Sequence, residues 1–222
     1  MESGRLEAFS DGVFAVAITL LALELAVPVP GHEHLTTQLS DHWPSFAAYL
    51  VSFLTIGIIW VNHHTLFNNI ADVDRPLLFV NLLLLFFVVS IPFVTTMFAD
   101  YLHHGGPDAG VAGAIYNGVF TGMGVSFGTL LWWCISHEHL KAPLPPGAIW
   151  SAVIRFGIGN IAYIAAIGIA FVSPAAALLI SGLVAVYYMF EQTPGRKGGP
   201  GSAVGPNQQF GTGDDPGTNR DF

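Results

Sequence analysis

The chain has 222 residues, of which 52% are hydrophobic and only 10% charged, and it carries a formal net charge of -8. A soluble domain has about 25% charged residues, so this chain lacks the polar surface to cover a water-soluble globule, and the lipid bilayer is its natural solvent. Seven basic residues against fifteen acidic ones leave no patch for nucleic acid, and a single cysteine, Cys134, excludes an intrachain disulfide or a thiolate zinc cluster.

Six apolar segments follow in chain order, over about 5–27, 44–68, 76–100, 111–136, 149–172 and 173–190. A membrane-crossing helix needs about 20 residues, so the pattern predicts an all-α polytopic membrane protein of six transmembrane helices. The first segment stops at Pro28 and Pro30 and has no basic stretch before it, so it reads as a retained helix. Pro44, Pro76 and Pro174 lie near helix starts, where a missing amide hydrogen is harmless. Pro92 lies inside the third helix and is expected to kink it, with Ser90, Thr95 or Thr96 re-satisfying freed carbonyls. Gly118 with Gly122, and Gly124 with Gly128, permit close helix packing in the fourth. Arg155 and Asn160 on the fifth are expected to be internal hydrogen-bond partners. The chain divides into a membrane domain over 1–190 and a Gly/Pro-rich tail over 191–222 that is expected to be disordered.

With six spans, Arg5, Arg75, Lys141, Arg155, Arg196, Lys197 and Arg220 all fall on one side. This bias places both termini in the cytoplasm. Trp43, Trp132, Trp133, Trp150, Tyr187 and Tyr188 lie near segment ends, as interfacial anchors do.

The first helix carries the most information. Arg5, Phe9, Ser10 and Asp11 open an apolar span in which an ionisable group costs at least about 2.5 kcal/mol at the centre and faces protein or water. At about 100° per residue, Phe9, Val16, Leu20, Leu23 and Val27 share one face, with Gly12 and Thr19 at its edge. Asp11 points to nearly the opposite side, toward other helices of its own subunit. The second helix ends in Trp60, Asn62, His63 and His64 at the same depth, so Asp11 is expected to accept from His63 or His64, near Ser10 and Asn62, with Arg5 or Arg155 compensating its charge.

The run Arg5-Leu6-Glu7-Ala8-Phe9-Ser10-Asp11 resembles the signature of the transmembrane protein 175 family, and Trp60-Val61-Asn62-His63-His64 is similar to the second-helix motif of its bacterial branch. The resemblance implies a homotetrameric, potassium-permeable channel of the plasma membrane, whose central pore is lined by four copies of the first helix. In that branch three apolar residues, starting five positions after the motif Asp and spaced four then three apart, narrow the pore. The matching positions are Val16, Leu20 and Leu23, with Thr19 offering hydroxyl oxygen to the ion. Val16 is smaller than the residue usual there, which implies a wider layer and a weaker preference for potassium over sodium. Arg5, Phe9, Ser10, Asp11, Trp60, Asn62, His63 and His64 are then a structural polar network.

The permeant monovalent cation apart, no cofactor is expected. Nor is a metal site: neighbouring histidines such as His63 and His64, or His103 and His104, point about 100° apart and rarely chelate one ion. The rival reading is a proton-coupled secondary transporter, with Asp11 and the histidines as a relay inside one subunit.

Overall fold

The computed structural model describes residues 3–25, 31, 34–141 and 146–190. Val27, the Pro28 and Pro30 stops, His32, the basic residues Arg196, Lys197 and Arg220, and the whole tail lie outside them, as does the side chain of Arg155.

The described residues form seven helices: α1 Ser3–Leu23, α2 Leu35–Asp41, α3 Trp43–Asn68, α4 Arg75–His104, α5 Asp108–Ser136, α6 Pro146–Ala170 and α7 Pro174–Phe190. Each predicted apolar segment is helical. Four of them, α1, α3, α4 and α5, are long and apolar enough to cross a membrane, and the apolar stretches Phe156–Ala170 and Pro174–Met189 are shorter. The seven-residue α2 is an addition that the sequence pattern did not reveal. Its run Leu35-Thr36-Thr37-Gln38-Leu39-Ser40-Asp41 has no buried face to give it helical periodicity.

Helix starts follow local chemistry. Asp74 caps α4, its carboxylate accepting from the Leu77 amide at 2.9 Å, and Pro76 occupies the first turn. Ser173 accepts from the Ala176 amide at 3.3 Å ahead of Pro174, so α6 and α7 form a hairpin. α4 ends at Gly105, whose φ of 72° a side chain would disfavour.

α1 packs on α3 and α4 at one side of the bundle; α5 packs on α4, α6 and α7. The core is filled by Phe14, Phe67, Phe98, Tyr116 and Phe120. One buried polar junction joins α3, α4 and α5: Ser52 Oγ lies 2.8 Å from Thr95 Oγ1 and 3.0 Å from the Tyr116 hydroxyl. A second joins α5 and α7, with the Ser181 hydroxyl donating to Asn117 Oδ1 at 2.7 Å. Such pairs fix helix register where apolar contacts alone would slide.

The α3–α4 and α5–α6 loops are latched together. The Ala71 amide donates to the His139 carbonyl and the Lys141 amide to the Asn69 carbonyl, both at 2.8 Å. The Lys141 ammonium donates to the Asn68 carbonyl at 2.8 Å. Asp74 also accepts from the Trp133 indole at 3.1 Å and lies 3.2 Å from His139 Nε2. Trp133, expected as an interfacial anchor, therefore turns inward to the latch. Desolvation acts to raise the Asp74 pKa, but the hydrogen bonds from Leu77 and Trp133 and the nearby His139 ring outweigh it and hold the carboxyl below its ordinary value.

Candidate functional site

α1 presents three faces. The first carries Leu6, Ser10, Phe14, Ala17 and Leu21, all buried against α3 and α4. Ser10 donates to the Leu6 carbonyl at 2.9 Å and accepts from Asn81 Nδ2 at 3.0 Å. Asn81 Oδ1 lies 2.9 Å from His63 Nε2. An amide oxygen only accepts, so His63 carries its proton on Nε2. Its ring stacks on Phe67 at 4.1 Å and tilts against Phe14 at 5.4 Å. The chain His63–Asn81–Ser10 thus ties α3, α4 and α1 together in the fully buried interior.

The second face carries Glu7 and Asp11, both half-buried. Asp11 accepts from the Trp60 indole at 2.9 Å, and not from His63 or His64 as expected from the sequence. The physical reason is angular. Ser10 occupies the inward direction, and one further residue, about 100°, carries Asp11 to the rim, where the longer Trp60 reaches it. His64 faces Glu7 instead, with Nδ1 3.0 Å from Oε1. Asn62 turns back on its own helix to donate to the Ile58 carbonyl at 3.0 Å. Arg5 is exposed, and among the described residues its side chain makes no hydrogen bond or ion pair, so it does not neutralise Asp11. Six residues apart, the two point about 120° away from each other.

The third face is bare. Phe9 is 53% exposed, Val16 55%, Leu20 40% and Leu23 78%, although all four are apolar. Thr19 is exposed among them; its hydroxyl hydrogen is given to the Val16 carbonyl at 2.9 Å, which leaves the oxygen lone pairs outward. Beside this stripe Ala8, Gly12, Ala15 and Ala22 are also exposed. The exposed side of α4 is built differently, from Phe79, Leu82, Leu83, Phe86 and Phe93. Bulky side chains suit acyl chains, whereas small ones let helix backbones approach.

At the far end of α1, Glu24 Oε2 lies 3.5 Å from Thr96 Oγ1 and borders a cavity of about 280 Å³, lined also by His42, Tyr49, Asp100 and His103.

Residues 5–92 match the family model described as endosomal/lysosomal potassium channel TMEM175. A potassium channel of Streptomyces collinus is 47% identical over 195 residues, spanning 87% of this chain and 94% of that protein. The chain belongs to the TMEM175 family. A second relative, a potassium channel of Chamaesiphon minutus, is 38% identical over 193 residues, spanning 84% of this chain and 93% of that protein. The crystal structure of a lysosomal potassium-selective channel TMEM175 homolog from the same organism superposes with a TM-score of 0.73 at 35% identity, covering 86% of this chain and 97% of that one.

In this TMEM175-family chain the residue that sequence reasoning missed is Asn81, the hinge of the buried polar chain. Its signal was present: one amide stands in the run from Leu77 to Phe87, otherwise wholly apolar, and a polar group inside such a helix needs a partner.

Proposed function

We propose that this TMEM175-family protein is a potassium-permeable channel of the plasma membrane, assembled as a homotetramer of six-span subunits with both termini cytoplasmic. Four copies of α1 line the pore, narrowed by Val16, Leu20 and Leu23, with Thr19 offering oxygen between the apolar layers. The observation that carries this reading is the bare stripe of α1, in a chain whose relatives over nearly their whole length are named potassium channels. The neighbouring Ala8, Gly12, Ala15 and Ala22 support it, since small residues allow four helices to close around one axis.

The orientation rests on the basic residues. Arg5, Arg75 and Lys141 share the end of the bundle at which Glu7 meets His64 and Lys141 meets Asn68. No Thr-Val-Gly-Tyr-Gly filter occurs in the sequence. Selection comes instead from an apolar neck in which the ion sheds part of its water. Potassium holds its shell less tightly than sodium and passes more readily, and the same neck closes by dewetting when the helices move inward. Glu7, Asp11 and Glu24 near the two mouths favour cations over anions.

The carrier reading needs a proton path that runs from Asp11 through the subunit interior, whereas Asp11 gathers with Glu7 and His64 at the N-terminal rim of α1. Asp11 is bonded to Trp60, and the polar chain through His63 runs to Asn81 and Ser10.

Liposome flux under potassium and sodium gradients tests the proposal. Leu20→Asn and Leu23→Ala are each expected to raise leak and reduce potassium-over-sodium discrimination several-fold, about 1 kcal/mol in relative barrier height. Unchanged flux and selectivity in both variants would remove α1 from the pore. Saturating, proton-coupled uptake would replace the channel by a carrier.

A further inference from the structure

The two carboxylates of α1, which the buried Ser10–Asn81–His63 chain leaves aside, lie together near the N-terminal end of the helix. Glu7 and Asp11 are four residues apart and stand one above the other on the helix. His64 joins them from the C-terminal part of α3. Each offers one ligand atom, and the three atoms lie within 4.8 Å of one another.

The contact between His64 and Glu7 is not a hydrogen bond. His64 Nδ1 stands 3.0 Å from Glu7 Oε1 and is shielded from solvent, yet it makes no hydrogen bond. At that separation the carboxylate must lie off the line of the ring N–H. A shielded nitrogen 3.0 Å from one carboxylate oxygen and out of line with it, with a second carboxylate in the same cluster, is an arrangement that a bridging cation accounts for. Trp60 adds the support that a ligand set needs. Its indole N–H holds Asp11 Oδ1 at 2.9 Å, and its ring stacks on His64 at 5.7 Å and 29°. Outer-shell contacts of this kind orient ligating carboxylates and imidazoles. Side-chain exposure of 45% for His64 and 19% for Glu7 leaves an entry path.

We propose that Glu7, Asp11 and His64 form a binding site for a zinc-class divalent cation, with water completing its shell. One imidazole nitrogen and two carboxylate oxygens suit zinc and its first-row neighbours, whereas calcium and magnesium take oxygen ligands almost exclusively. Bonds of about 2.0–2.2 Å require the ligand atoms to close to about 3.3–4 Å from one another, a movement within reach of the flexible Glu7 side chain. The ion's double charge balances the two carboxylates. All three ligands come from one chain, so the site requires neither a tetramer nor a pore. The similar pair His139–Asp74 lacks a third ligand, and its carboxylate already accepts from Leu77 and Trp133.

The test uses the full-length protein in detergent, stripped with chelator, then titrated with zinc against a fluorescent indicator, with X-ray absorption at the zinc edge. One tight zinc per chain is expected, in a shell of one imidazole and carboxylate or water oxygens. Glu7→Gln and His64→Gln should each weaken binding by about 100-fold or more, and Trp60→Phe by about 10-fold. The proposal is overturned if the wild type binds no stoichiometric zinc, or if both ligand variants keep its affinity. A shell holding two or more imidazoles in the wild type also overturns it, by a measurement that needs no variant to fold.

Discussion

Asn81 is where a single side chain has the widest consequence. Its amide accepts from His63 and donates to Ser10, so its loss strands a ring N–H and leaves a hydroxyl with one partner fewer, all in the buried interior. An unsatisfied buried donor costs about 1–3 kcal/mol. Asn81→Leu is therefore expected to lower the thermal midpoint of the detergent-solubilised protein, and Ser10→Ala made on top of it should add less than it does alone, because the partner is already gone. Glu138 is a smaller case of opposite sign. α5 ends with the His139 amide donating to the Cys134 carbonyl at 3.0 Å and the Glu138 amide to the Ile135 carbonyl at 3.5 Å, a Schellman closure. Glu138 holds the left-handed position with φ 57°, where glycine is usual. Glu138→Gly should stabilise by about 1 kcal/mol, read as a higher midpoint with unchanged flux.

At the scale of helices, packing depends on which small residues meet a neighbour. Gly110 on α5 faces backbone: an added Cβ would lie 3.1 Å from the Ala170 carbonyl oxygen and 3.1 Å from Phe171 Cα. Backbone cannot step aside, so Gly110→Val is expected to cost about 1–3 kcal/mol. Gly118 on the same helix meets nothing, and Gly118→Ala should stay within about 1 kcal/mol of wild type. Heat challenge followed by size-exclusion recovery separates the two. The two glycine pairs of α5 show why spacing alone was insufficient. Gly122 is pressed by the Phe87 ring of α4 and Gly124 by the Asn160 amide of α6, while Gly118 and Gly128 open to space. A spacing of four identifies a helical stripe, but the neighbour belongs to another part of the chain. Pro92 is similar. Ser90, Thr95 and Thr96 do donate to carbonyls, but to those of Phe86, Ile91 and Pro92, each four residues back, and not to that of Val88, whose amide partner the proline removes.

At the scale of the whole molecule, the latch between the two loops carries a carboxylate whose charge responds to pH. Asp74 is held below its ordinary carboxyl value, so it favours the folded state above its unfolded pKa of about 4, and that contribution is lost as pH falls through the lower folded value. Asp74→Asn keeps the helix cap and removes the charge facing His139. The midpoint of the wild type should exceed that of the variant at pH 7, and the gap should narrow as pH falls below about 4. A gap independent of pH would assign the effect to hydrogen bonding alone.

Sequence by itself determined the helical class, the six apolar segments and the division of α1 into a polar-anchored side and an apolar stripe. These follow from hydropathy and a fixed turn of about 100° per residue, both local properties. It also carried the motifs by which the family is known. Only the tertiary structure decided the partners: Asn81 for Ser10 and His63, Trp60 for Asp11, Glu7 for His64. A polar contact needs its two atoms within about 3 Å, and the rotation of one helix against another, which sets that distance, is written in no single segment. The adjacent histidines show the difference in one dipeptide, since a step of about 100° sends His63 into the core and His64 to the carboxylates at the rim.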